Sequence, residues 1–185
     1  MDTNKSIIDK MLAYNQSFVE NELYKQFQTS KYPDKKIAIL TCMDTRLIEL
    51  LPAALGIKNG DIKMVKNAGG ILRNLYGSVM YSFIVSIYEL GVDTILIIGH
   101  DDCGVQGLNP EKLIEEMKKK GISQEAIDKV YEQGIDLKQW LRGFETVEQS
   151  VQETVKIIKE HPLIHKDVTV LGFIINPETG ALRKA

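Results

Sequence analysis

The chain has 185 residues, of which 44% are apolar and 26% charged, with a formal charge of −2 spread over interspersed signs. That length suffices for one core burying roughly 70% of the unfolded surface, and the composition sets the chain apart from disordered, fibrous and membrane-embedded classes. No basic stripe awaits a phosphate backbone and no apolar run reaches the ~20 residues of a span, so neither nucleic acid nor membrane is expected as a partner.

The opening segment MDTNKSIIDKMLAYNQ lacks the basic start, apolar stretch and small-residue cleavage site of a secretory leader, so the chain reads as cytoplasmic. Residues 5 to 28 follow a helical pattern through Ile7, Ile8, Met11, Leu12, Phe18, Val19, Leu23 and Phe27 that belongs to no crossover and offers a face to a partner chain. The run Lys36 to Thr41 predicts a buried strand and leads into Thr41-Cys42-Met43-Asp44-Thr45-Arg46. A second strand is predicted over Asp61 to Lys66, followed by Asn67-Ala68-Gly69-Gly70. Leu72, Leu75, Tyr76, Val79, Met80, Phe83, Ile84, Ile87 and Leu90 then keep helical spacing up to Gly91, a residue that often ends helices.

The third strand, Thr94 to Gly99, runs into Gly99-His100-Asp101-Asp102-Cys103-Gly104. Residues 109 to 143 read as a charged, helix-prone insert with a break at Gly121, where Ser123 suits an N-cap. Val147, Val151, Val155 and Ile158 share one helical face before His161-Pro162, and Val168 to Ile175 predicts the fourth strand. Apolar strands alternating with helical crossovers imply an α/β fold, a mostly parallel sheet with helices on both faces. No internal repeat or low-complexity tract interrupts it.

The only two cysteines and one of three histidines fall at the carboxyl ends of predicted strands, the edge where open parallel sheets bind ligands. Each alone has a plain structural role: a buried cysteine packs as a small hydrophobe, and Asp44 with Arg46 makes an ordinary ion pair. Together, Cys42, His100 and Cys103 supply two sulfurs and one imidazole, the donor set of a catalytic zinc with an open fourth position. If the backbone stays extended, Cys42, Asp44 and Arg46 project to one side at i, i+2 and i+4. A cysteine phosphatase loop fails because the position six after Cys42 is Ile48, and no Cys-x-x-Cys is present for disulfide exchange. Asn67 to Gly70 lacks dinucleotide-binding spacing, and reads either as a tight turn or as a backbone wall beside the metal pocket. His161 and His165 are assigned to surface structure.

Cys-x-Asp-x-Arg, then Asn-Ala-Gly, then His-x-x-Cys-Gly closely resembles the beta-class carbonic anhydrases, densely over residues 37 to 107. The similarity continues into Val168 to Gly180, where Thr179-Gly180 resembles the family's edge hairpin. The resemblance implies one Zn²⁺ per chain on Cys42, His100 and Cys103, with Asp44 and Arg46 as the catalytic dyad, and interconversion of carbon dioxide and bicarbonate. It also implies a homodimer or higher homo-oligomer in which the N-terminal helix embraces the neighbouring chain. The expected architecture is a single domain over 1 to 185, with four strands in the order 2-1-3-4, an antiparallel edge strand, a helical arm at 1 to 30 and the insert at 109 to 143. Gly69, Gly70 and Gly104 are expected to line the substrate pocket. The missing Gln-Pro segment, the charged insert after Gly107, and Gly70 after Asn-Ala-Gly mark a short, divergent branch.

Two thiolates neutralise the formal charge of zinc, so its water is expected to be less acidic than in a three-histidine site. Asp44 could then take the fourth position itself in a closed state, unless Arg46 grips it. Activity is expected to climb from neutral to mildly alkaline pH as hydroxide competes better. The alternatives are hydrolysis of carbonyl sulfide or carbon disulfide at the same zinc, and a silent zinc-binding regulatory or assembly module.

Overall fold

The computed structural model describes residues 3–185, in two units, one ending at Lys31 and one running from Tyr32 to Ala185. The first unit is helix α1, Thr3–Glu20, followed by a 3₁₀ turn over Leu23–Phe27. Glu22 enters that turn with a left-handed φ of 55°, and the rings of Phe18 and Phe27 meet at 6.1 Å. Ile7, Ile8, Met11 and Leu12 are each more than half exposed, so α1 displays the apolar residues that a helix normally buries.

The second unit is built on a five-stranded sheet. Strands β1 (Ile37–Cys42), β2 (Ile62–Asn67), β3 (Thr94–His100) and β4 (Thr169–Ile175) are parallel, and β5 (Leu182–Lys184) runs antiparallel to β4, giving the order β2-β1-β3-β4-β5. β1 begins one residue later than its sequence suggests because Lys36 turns left-handed (φ 53°) and its carbonyl accepts from Asp93 N–H at 3.0 Å. The strand ends reach one residue further, so Cys42, Asn67 and His100 are the last residues of their strands.

Helices cover both faces, as a parallel sheet of apolar strands requires. On one face Ala38, Leu40, Ile95, Ile97 and Ile174 pack with α3 (Ser78–Tyr88) and α7 (Val147–Glu160) through Phe83, Val151 and Ile158. On the other, Ile39, Ile98 and Ile175 pack with Leu47 and Leu51 of α2 (Leu47–Ala54), and Cys42 and Cys103 belong to this second cluster. α7 lies so close to β3 that a Cβ on Gly99 would sit 2.6 Å from Val147 Cγ2.

The helix expected from Leu72 starts only at Ser78. Asn74 turns the preceding segment, its Oδ1 accepting from Tyr76 N–H at 2.9 Å and its carbonyl from Gly77 N–H at 3.1 Å, a local bond that competes with helix. The insert forms α4 (Pro110–Lys119), α5 (Gln124–Glu132) and α6 (Leu137–Leu141), capped by Asn109, Ser123 and Asp136. It packs around its own small core of Ile114, Ile127 and Leu137. Its ends close on each other, Gly143 N–H donating to the Leu108 carbonyl at 3.1 Å and Gly107 N–H to that of Phe144 at 2.9 Å. His161 is not at the surface. It is 3% exposed, its Nδ1 accepts from Leu163 N–H at 3.2 Å, and its ring meets that of Tyr76 edge-on at 5.5 Å, whereas His165 is exposed. No helix of the described residues is long and apolar enough to cross a membrane.

Candidate metal centre

β1 and β3 are neighbours, so their carboxyl ends bring Cys42 and His100 together, and the turn after β3 adds Cys103. The ligand atoms of these three residues all lie within 4.8 Å of one another, and all three residues are buried. The two sulfurs are 3.9 Å apart, close to the ~3.8 Å edge of a tetrahedron with Zn–S bonds of about 2.3 Å. His100 Nδ1 lies 2.8 Å from the Asp101 carbonyl oxygen. A carbonyl only accepts, so Nδ1 carries the hydrogen and Nε2 keeps a free lone pair.

That Nε2 is buried and has no hydrogen-bond partner in the protein. A buried polar atom left in this way costs about 1–3 kcal/mol, a cost that a metal ion on the lone pair would remove. The donor set and its spacing therefore fit zinc.

Asp44 and Arg46 reach this cluster by a turn rather than by extended backbone. β1 stops at Cys42, and Leu47 N–H donates to the Asp44 carbonyl at 3.1 Å, so residues 44 to 47 already coil into α2. Asp44 Oδ1 accepts from the Arg46 backbone N–H (2.9 Å) and Nε (3.0 Å), and Oδ2 accepts from Nη2 (2.8 Å). Oδ2 also lies 3.8 Å from His100 Nε2. The two residues are thus in the paired arrangement, with the carboxylate beside the ligands and gripped by the guanidinium.

Three residues of the site, Asp102, Val105 and Phe144, escaped the sequence reading. Asp102 accepts from Arg46 twice, through its carboxylate (Nη1, 3.0 Å) and its main-chain carbonyl (Nη2, 2.9 Å). It does so from a left-handed φ of 53°, which aspartate tolerates better than most residues, and that tolerance is the signal a sequence could have offered. Val105 and Phe144 pack against the Cys42–Cys103 cluster, and a Cβ on Gly69 would sit 3.1 Å from the Phe144 ring. Phe144 arrives from the far end of the insert, and nothing local marks it.

Asn67 to Gly70 combines both of its sequence readings. Ala68–Gly70 forms a 3₁₀ turn, fastened by Asn67 donating to the Ile71 carbonyl (2.7 Å) and accepting from Ile71 N–H (3.0 Å). It also walls the site, since Gly69 N–H donates to Cys42 Sγ at 3.4 Å. Gly70 has φ 62°, and a Cβ there would lie 2.9 Å from the Cys42 backbone nitrogen, so this contact needs glycine. Gly104 has open space where a Cβ would point.

The electrostatics follow from these contacts. Bonding to Arg46 holds the Asp44 carboxyl down at about 2, against its desolvation. Contact with the Cys103 sulfur and the bond from Gly69 N–H outweigh burial and hold the Cys42 thiol well below the usual thiol range. The resulting thiolate, together with burial, pushes Cys103 up. Burial disfavours the charged His100 ring, but Cys42, the Asp101 carbonyl and Asp44 outweigh it and raise its pKa.

Comparison with known proteins extends the picture. The carbonic anhydrase family pattern matches residues 37–182. "Putative carbonic anhydrase YtiB" of Bacillus subtilis is 45% identical over 177 residues, covering 96% of this chain and 95% of that protein. The carbon disulfide hydrolase of Acidithiobacillus thiooxidans is 29% identical over 159 residues, or 81% of this chain and 77% of that protein. The crystal structure of beta-carbonic anhydrase isoform I from Trichomonas vaginalis matches with a TM-score of 0.84 and 32% identity, over 96% of each chain. Sheet order, motif spacing and these likenesses agree, and the chain belongs to the beta-carbonic anhydrase family.

Proposed function

We propose that this chain reversibly hydrates carbon dioxide to bicarbonate at one zinc ion held by Cys42, His100 and Cys103. The observation that carries this reading is the buried His100 Nε2, without a protein partner, among two sulfurs and beside a gripped carboxylate. When bound, zinc supplies the Lewis acidity that makes a water molecule nucleophilic near neutral pH.

Asp44, ionised at every working pH, can only accept a hydrogen bond, and so orients a nucleophile that has one proton to donate. Arg46 would keep that carboxylate from taking the metal's fourth position, and Asp102 keeps Arg46 in place. Val105 and Phe144 give the cluster an apolar wall, which suits a small uncharged substrate. We further propose that the chain works as a homo-oligomer in the cytoplasm, the exposed apolar residues of α1 packing on a second copy, which gel filtration tests directly.

The test is zinc content per chain with carbon dioxide hydration followed at about pH 6.5 and 8.5. We expect one zinc per chain, hydration that is faster at the higher pH, and loss of both on chelation with recovery when zinc is returned. A zinc-loaded chain with no hydration at either pH overturns the reading. Hydrolysis of carbon disulfide is the second reading, favoured by the likeness to the Acidithiobacillus thiooxidans hydrolase. Hydrogen sulfide released from carbon disulfide, with no hydration of carbon dioxide, would decide for it.

A further inference from the structure

We propose that Arg183, on the C-terminal edge strand, is a positioning residue for the metal centre: it fixes the Asp101 side chain, and through the Asp101 carbonyl it orients the His100 ring. This rests on the zinc reading above. The strand register brings Arg183 there. His100 on β3 pairs with Ile175 on β4, and β5 places Leu182 opposite Ile175 and Arg183 opposite Ile174. From that position Arg183 reaches back across β4 to Asp101, Nη1 to Oδ2 at 2.9 Å and Nη2 to Oδ1 at 2.8 Å, while Nη2 also donates to Glu148 Oε1 at 2.8 Å in the first turn of α7.

The peptide between Asp101 and Asp102 has two duties. Its carbonyl oxygen receives His100 Nδ1 at 2.8 Å, which sets the ring's tautomer and its direction. It also leads into the left-handed Asp102, a conformation that persists only where the surroundings over-determine it. A peptide unit is planar, so its carbonyl turns whenever the flanking dihedrals turn. Asp101 is held by its backbone N–H on the Ile175 carbonyl at 3.1 Å and by its carboxylate on Arg183, and Asp102 is held by Arg46. The Arg183 side chain is 46% exposed and that of Asp101 35%, so the pair adds little stability. What its two parallel bonds contribute is direction, because a planar fork fits a carboxylate in one orientation.

Zinc affinity of the full-length chain, measured by competition with a chelator, separates positioning from charge. Removing a cation near a dication site should tighten zinc binding by Coulomb's law alone. Positioning predicts the opposite: Arg183→Ala weakens zinc binding about tenfold, the low end of the range for groups that orient a ligand's second nitrogen. Arg183→Lys keeps the charge but loses the fork, and is expected to fall between wild type and Arg183→Ala. Asp101→Asn combined with Arg183→Ala should weaken binding no further than Arg183→Ala does, as residues in one chain of contacts are not additive. The His100 Nδ1 proton, observed by NMR in the zinc-loaded wild type, should exchange faster with solvent in Arg183→Ala.

Unchanged or tighter zinc binding in a folded Arg183→Ala chain overturns the inference, and so does an Arg183→Lys chain indistinguishable from wild type. If Arg183→Ala does not fold, Arg183→Lys and the NMR signal decide. A wild-type chain that takes up no zinc overturns the metal reading itself, which is a different failure from zinc uptake that is indifferent to residue 183.

Discussion

Arg46 and Arg183 grip consecutive residues of one turn from opposite sides. Arg46, just before α2, forks onto Asp44 and also holds Asp102; Arg183, on β5, forks onto Asp101 and also holds Glu148. The two are alike in charge, bond lengths and exposure, 38% for Arg46 and 46% for Arg183. What stands behind them differs. Behind Arg46 is a carboxylate 3.8 Å from His100 Nε2, while behind Arg183 is the far side of the same ring. On the proposed zinc chemistry one device serves two ends: beside the Asp44 carboxylate it bears on turnover, and behind the His100 ring it bears on metal affinity.

The sharpest way to break that division is Arg46→Ala. Without its guanidinium, Asp44 is free to take the fourth position of the proposed zinc, so the chain is expected to keep one zinc and lose about 100-fold in carbon dioxide hydration, the order of effect of a positioned proton acceptor. Metal analysis and stopped-flow hydration on the same sample read both quantities. Full activity removes the dyad from the mechanism, and loss of zinc erases the distinction between the two arginines.

A smaller effect is expected from Asp102→Asn. Asparagine tolerates the left-handed φ of 53° and leaves the main-chain carbonyl in place, so the variant removes only the charged acceptor of Arg46 Nη1. Hydration should fall about three- to tenfold with zinc content unchanged. A drop as deep as that of Arg46→Ala would make Asp102 the principal anchor of the guanidinium.

The sequence exposes this site unevenly, and the division follows the range of the interactions. β1, β3 and β4 are mostly apolar runs, and β2, half-buried and carrying Lys63 and Lys66, still keeps Ile62, Met64 and Val65, so all four strands are legible to within a residue at either end. Cys42, His100 and Cys103 stand out because their residue types are scarce and fall where such strands end. The roles of Asp102, Phe144 and Arg183 are illegible because they rest on a left-handed dihedral, on an insert that closes upon itself, and on pairing between strands. Asn74 misleads for the converse reason. The spacing of Leu72, Leu75 and Tyr76 suits a helix, but one side-chain oxygen bound to Tyr76 N–H turns the chain first. His161 reads as surface because a proline follows it, yet the end of α7 folds it inward against Tyr76.

The mildest effect concerns stability. The bond to Arg46 holds Asp44 at about 2 against an ordinary 3.8, so folding favours the ionised form. A group depressed in this way stabilises the fold fully above its unfolded pKa and loses that contribution as pH falls through the folded one. Because Arg46 is 38% exposed, solvent screening trims the contribution to about 1–2 kcal/mol. In zinc-free protein, urea unfolding of wild type and Asp44→Asn should therefore differ by about that much at neutral pH, with the gap constant down to about pH 4.5 and halved near pH 3. A gap that stays flat across that range would locate the stability elsewhere than in the pair. The same depressed value keeps Asp44 charged from mildly acidic to alkaline pH, so its own titration cannot produce a rise in hydration above neutrality. On the proposed mechanism any such rise comes from the nucleophile rather than from Asp44, whose carboxylate is already ionised.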